Sequence, residues 1–281
     1  MDDHPRRELA EFLKARRTRV RPQDVGLEPG PRRRVAGLRR EELALLAGVS
    51  EDYYERMEQG RDVRPSEQVL DALARALRFT PEETRHLRAL AAAARRPART
   101  RARTPEVVPP TALRLLRTMS GPAMVVGRHL DILAWNPPAE TLLGDLSALP
   151  RRTRNVLVLF FQPGADLTCP ERAATVAELT AMLRTSVAAD PMHPRAVELV
   201  GELAVHSPEF RTLWGRHDIE ETTRGRMRVI HPLVGDVTLD WDAYRLPGPT
   251  PGPMLIAYTA EDGSPAVEKL RLLEEAALRS A

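Results

Sequence analysis

Arg40, Glu51, Asp52 and Arg56 stand on either side of the tripeptide Gly48-Val49-Ser50. Guanidinium groups grip phosphate oxygens and guanine edges, and carboxylates accept from the amino group of cytosine. These residue types suit recognition of double-stranded DNA, provided that a fold holds them on one side. The stretch Gly37–Arg61 supplies such a fold, since it reads as two short helices, a tight turn and a glycine stop. Arg40 opens the first helix, where free N–H groups favour a phosphate. Leu43, Leu46 and Ala47 are expected to pack inward. Gly48 provides the left-handed turn residue, Val49 fills the core and Ser50 caps the second helix. Tyr54 and Met57 form its buried face, which leaves Glu51, Asp52, Tyr53, Glu55 and Arg56 outward. The candidate DNA-contacting residues are Arg39, Arg40, Ser50, Glu51, Asp52, Tyr53, Arg56, Gln59 and Arg61. The two acids at the start of the reading helix repel phosphate, so they favour selectivity over raw affinity.

Other chemistries find little support. The seven His residues and the single cysteine, Cys169, show no metal-ligand spacing, and no metal is expected. One cysteine excludes an internal disulfide and fits a reducing cytoplasm. Ser207, His217 and Asp218 are types used in nucleophilic catalysis, but Ser207 precedes Pro208 and reads as a helix cap, with no strained nucleophile elbow around it. The chain is therefore not expected to be an enzyme, and no phosphate loop or dinucleotide fingerprint suggests a cofactor. No run of about 18 apolar residues suggests a membrane span, and the first residues lack the apolar core of a signal peptide. The overall charge is +3, but residues 1–104 hold 24 Arg/Lys against 17 Asp/Glu, and the remainder 18 against 22. A basic head on a faintly acidic body is the asymmetry expected of a DNA-binding protein.

The elements that must position these residues fall into an α + (α+β) order. Helices are expected at 7–19, 39–47, 51–59, 66–77 and 81–94, giving an all-helical domain over 1–94. Thr80, Pro81 and Glu83 mark the start of the last one. Gln23–Arg34 reads as a loop. Residues 95–110 form an Arg/Pro-rich linker, either a solvated hinge or a source of further phosphate contacts. Over 111–281, strands are expected at 123–126, 130–135, 227–231, 236–241 and 254–259. Helices are expected near 137–143, 152–162, 171–187, 194–206, 208–214 and 266–278. The strands make a five-stranded antiparallel sheet with helices packed on it, with a hairpin turning at Gly235 and the prolines of 247–253 in a loop.

Leu38–Ser50, Tyr53-Tyr54 and Glu58–Arg61 resemble the Xre class of bacterial regulators. Leu130–Asn136, Ser207-Pro208-Glu209-Phe210 with Leu213-Trp214 and His217-Asp218, and His231–Gly235 resemble the MmyB-like transcription regulators. That resemblance covers about Ala10 to Leu278, and Trp241 departs from it where Tyr is the commoner residue. It implies a PAS-like second domain that binds a ligand, the known ligand class being a long-chain fatty acid.

In such a domain helices over one sheet face enclose an apolar cavity with a few polar groups at its mouth. The candidate ligand residues are Trp135, Asn136, Arg154, Asn155, Phe160, Trp214 and Tyr258, with Arg154 able to grip a carboxylate in a fork. A bound fatty acid is thus the one small molecule expected. A homodimer is expected because one small head makes few DNA contacts. The alternative is a second domain that serves only dimerisation or the recruitment of a protein partner.

Overall fold

Local signals in the sequence become helices wherever a cap and an apolar stripe coincide. In the computed structural model, described over residues 4–28, 35–61, 64–95, 106–247 and 252–280, the chain begins with α1 (His4–Arg19), α2 (Arg40–Ala47), α3 (Glu51–Glu58), α4 (Glu67–Ala76), α5 (Pro81–Arg95) and α6 (Pro110–Thr118). Then come β1 (Ala123–Val126), β2 (Ile132–Trp135), α7 (Pro137–Leu143), α8 (Val156–Leu159), α9 (Ala165–Thr168), α10 (Arg172–Ala189), α11 (Pro194–His206) and α12 (Pro208–Gly215). The chain ends with β3 (Arg224–His231), β4 (Gly235–Arg245), β5 (Met254–Thr259) and α13 (Pro265–Ser280). Residues 29–34 of the expected loop, 96–105 of the expected linker and 248–251 of the proline loop lie outside the described residues.

Two units emerge. The first joins Met1–Arg103 to Arg184–Glu221, and the second joins Thr104–Leu183 to Thr222–Ala281.

The first unit is all-helical. Its core holds Phe12, Leu13, Leu38, Leu43, Tyr54, Leu70, Leu73 and Leu87, and also Ala188 from the later stretch, with Ile219 packed against it. The expected capping box of α5 is present: Thr80 N donates to Glu83 Oε2 at 2.9 Å and Glu83 N to Thr80 Oγ1 at 3.2 Å. α1 is fastened to the segment before α2. Leu38 N donates to Val20 O at 2.9 Å, and Arg17 Nη1 to Leu38 O at 2.7 Å. Gly37 must be glycine here, because a Cβ would lie 2.2 Å from the backbone oxygen of Thr18.

The later stretch of this unit is tied down by charge. Arg184 pairs with Glu8 at 3.3 Å and lies 4.0 Å over the Trp214 ring. Arg16 donates to His217 O at 2.9 Å, and Arg19 meets Asp218 at 2.6 Å.

The second unit is built on the expected five-stranded sheet, in the order β2-β1-β5-β4-β3, with every neighbouring pair antiparallel. One face packs Val125 and Leu255 against Leu116 of α6. On the other face Met124 pairs with Ile256, Trp241 with both Gly225 and Tyr258, and Leu239 with Met227. α13 lies against α7 and β4.

Three expectations change. The helix expected over 152–162 shrinks to α8, because Arg154 O accepts from Ile132 N at 3.0 Å and Val156 N donates to Leu130 O at 2.8 Å. A backbone already bonded to β2 and the turn before it cannot also wind into a helix. α6 and α9 appear where no helix was expected. β3 and β4 run longer than expected, since charged pairs such as Arg226–Asp240, at 2.9 Å, extend the hairpin along its wet face.

Candidate functional site: a DNA-binding face and an apolar pocket

The first site is the paired helices α2 and α3. Glu42 Oε2 accepts from Arg39 N at 2.7 Å, which fixes the start of α2. Its inward stripe is Leu43, Ala44 and Ala47, all buried. Leu46, expected inward, is 36% exposed, because it lies on the flank of that stripe. Gly48 adopts φ +66°, which ends α2 in the left-handed region, and Val49 N donates to Ala44 O at 3.0 Å. Ser50 Oγ then accepts from Tyr53 N at 3.2 Å and caps α3.

α3 is held from beneath. Tyr54 and Met57 are buried as expected, and so is Glu58. Glu58 accepts from Arg17 Nε at 2.8 Å and from Arg40 Nε, and the Tyr54 hydroxyl donates to it at 3.4 Å. One carboxylate thus fastens α1, α2 and α3 together. Burial pushes the Glu58 carboxyl up, but its bonds from Arg17 and Arg40 outweigh that and hold it below its ordinary range. Spacing on α3 signals only the Tyr54 contact, since Glu58 follows Tyr54 by four residues.

The outward residues divide into two sets. Ser50, Glu51, Asp52, Arg56, Gln59 and Arg61 are exposed, while Tyr53 is half-buried. Arg56 and Arg61 have no side-chain partner among the described residues. Gln59 donates to Glu55 at 3.0 Å, and Arg39 reaches Glu41 at 3.2 Å. Arg40 is half-exposed and also meets Glu55 at 3.6 Å, so this cation is already fixed within the head.

The second site is a pocket of about 640 Å³ in the second unit. The sheet contributes Met124, Ile132, Met227, Val229, His231 and Tyr258. α7 and α8 add Leu142, Val156, Leu159 and the adjoining Phe160, and the α9 region adds Ala165, Leu167 and Cys169. Gln162, Leu167 and Ile230 are exposed and mark its mouth. Burial pushes the Cys169 thiol up, so it remains protonated. His231 Nε2 donates to Thr141 O at 2.8 Å, and its Nδ1 accepts from Leu233 N at 3.2 Å.

Of the expected ligand residues, the pocket takes in Phe160 and Tyr258. Asn136 is outside the lining and caps α7, accepting from Ala123 N at 2.9 Å and Ala139 N at 3.1 Å and donating to Gly121 O at 2.8 Å. Asn155 caps α8 and donates to His129 O at 2.8 Å and Asp131 at 2.9 Å. Arg154 donates to Leu149 O at 2.8 Å and stacks 4.7 Å over Trp135. Trp214 belongs to the first unit and stacks on Phe210 with centroids 5.4 Å apart. Met227, Val229 and His231 were not expected at the pocket. Their period-two spacing on β3 was the available signal.

No helix among the described residues is long and apolar enough to cross a membrane, and no cluster of His, Cys, Asp or Glu suited to a metal occurs among them. No curated protein matches the sequence. Residues 8–87 match the family model of a helix-turn-helix domain, which covers both α2 and α3. Residues 108–273 match the model of the MmyB-like transcription regulator ligand binding domain, which covers the sheet and the whole pocket lining. That second match alone takes in more than half of the chain, and with the helix-turn-helix ahead of it the protein belongs to the MmyB-like family of DNA-binding transcription regulators with a ligand-binding domain.

Proposed function

We propose that this is a cytoplasmic, sequence-specific regulator that binds DNA as a homodimer and responds to a small apolar molecule of the fatty-acid class. The observation that carries the ligand reading is the mostly apolar pocket of about 640 Å³ between the sheet and α7–α9. Its size lies within the usual range for small-molecule sites, roughly 300–1,000 Å³. A domain that served only dimerisation or partner recruitment would have no use for such a space. The dimer follows from the few base contacts available to one α3, since heads of this kind usually read two half-sites.

A ligand that binds only the folded chain stabilises it by mass action. It changes DNA affinity only by binding the DNA-competent and DNA-incompetent arrangements unequally. The test extracts the purified full chain for bound lipid, then titrates it with long-chain compounds while following thermal unfolding and operator binding. Val229→Trp, which fills the pocket, is expected to abolish the stabilisation and leave basal DNA binding intact. Ligand stabilisation that persists in Val229→Trp removes the pocket from the proposal.

A further inference from the structure

We propose that the pocket takes its ligand uncharged, as a long-chain alcohol, ester or protonated acid, and discriminates against a carboxylate. This rests on the ligand-sensing reading above and concerns the head of the molecule rather than its chain.

No Lys or Arg lines the pocket among the described residues. The guanidinium groups close in sequence to the lining are already engaged elsewhere. Arg226 and Arg228 alternate with Met227 and Val229 along β3 and meet Asp240, at 2.9 Å, and Asp236, at 2.6 Å. Arg154 donates to the carbonyls of Ser147, at 3.2 Å, and Leu149, at 2.8 Å. Arg172 donates to Phe160 O at 2.7 Å and lies 5.6 Å from the Phe161 ring centroid.

Both histidine nitrogens are engaged as well. His231 Nδ1 accepts a backbone N–H from Leu233, so that nitrogen carries no proton, and Nε2 holds its proton against Thr141 O. The hydroxyls of Thr141 and Thr168 donate to Pro137 O and Ala165 O, both at 3.2 Å. What remains is the Tyr258 hydroxyl, the Gln162 amide and the Cys169 thiol, the last already hydrogen-bonded with Thr175. Burial pushes both Tyr258 and Cys169 up, so each stays neutral. An ionised carboxylate here would lose its water and gain no cation in exchange, whereas a hydroxyl or ester would be satisfied by one or two neutral groups.

The experiment compares 1-decanol, methyl decanoate and decanoate at pH 8, each titrated into the full chain by thermal shift and calorimetry. The two uncharged compounds are expected to bind at least tenfold tighter than decanoate. Because an alcohol also leaves water more readily than a carboxylate, Gln162→Arg isolates the contribution of the pocket. It places a guanidinium at the exposed mouth and is expected to shrink that ratio to about threefold or less. Decanoate binding as tightly as decanol to the unaltered chain overturns the inference and leaves the ligand-sensing reading standing. A ratio unchanged by Gln162→Arg also overturns it. If no member of the series binds, the ligand-sensing reading falls and the inference falls with it.

Discussion

Arg17 and Glu58, 41 residues apart in the chain, meet at 2.8 Å with both side chains buried. The pair joins the first helix of the head to the last turn of the reading helix. Removing one partner of a buried pair leaves the other charge uncompensated. Glu58→Ala is therefore expected to destabilise the first unit by roughly 3–5 kcal/mol in urea unfolding. The carboxyl is held below its ordinary value of 4.5, so its contribution is complete above that value and is lost as pH falls beneath it. Glu58→Gln should flatten this part of the acid limb, and an unaltered limb would count against the pairing.

His86 gives a second acid sensitivity in a different window. It is buried against Phe12, with ring centroids 4.8 Å apart, and neither ring nitrogen has a partner among the described residues. Burial, reinforced by Arg184 and Arg16, pushes it down to about 3. The unfolded chain takes up this proton near 6.5 and the folded chain does not until about 3. Stability is therefore full above 6.5 and falls as pH drops through that interval, by about 1.4 kcal/mol per pH unit for one proton. His217, pushed down to about 3 by burial and then by Arg184, acts in the same direction. His86→Leu should remove one proton from the slope of the urea midpoint against pH between 6 and 4, and a slope that stays the same would refute this account.

On the DNA face the two best-placed arginines should behave differently. Arg56 is exposed and uncommitted, so Arg56→Ala is expected to cost about 1–3 kcal/mol of specific binding and to relax one base position. Arg40 is bound to Glu58 and Glu55. Arg40→Ala should weaken binding to all sequences alike, flatten the salt dependence and lower the stability of the head. Gel shifts over a salt series and a panel of operator variants distinguish them. Equal, sequence-blind losses would take Arg56 out of the base-reading set.

Gly37→Ala tests the seam between α1 and the segment before α2. The added methyl would meet the Thr18 backbone, which has no side-chain freedom with which to yield. A loss of about 1–3 kcal/mol or more is expected in chemical unfolding. Wild-type stability would mean that the two segments separate at little cost.

Much of the fold could be read from the chain because its signals are local. Thr80-Pro81 and Ser207-Pro208 announce helix starts within one turn, and Ser207 Oγ accepts from Phe210 N at 3.0 Å as the sequence suggests. α8 was misjudged because its limit is set by bonds to Leu130 and Ile132, over twenty residues away. α6 was hidden behind Pro109 and Pro110, although Ala112 and Leu116 carry a helical stripe. The burial of Glu58 depends on Arg17 arriving from another helix, and no local pattern records that. The pocket was harder still, because it draws lining from β1, β2, β3, β5 and three helices, and apolar residues facing a space look the same in sequence as those facing a core.

The head draws Ala188 and Ile219 from a stretch that the sequence places in the ligand-binding domain. A helix-turn-helix exchanged between relatives at residue 95 would leave that stretch behind. Glu8, Arg16 and Arg19 would lose Arg184, His217 and Asp218, and part of the apolar core of the head would be bared to water. The unit of inheritance that keeps this head whole is therefore discontinuous, and the two stretches must change together for a new DNA specificity to arrive on a stable scaffold.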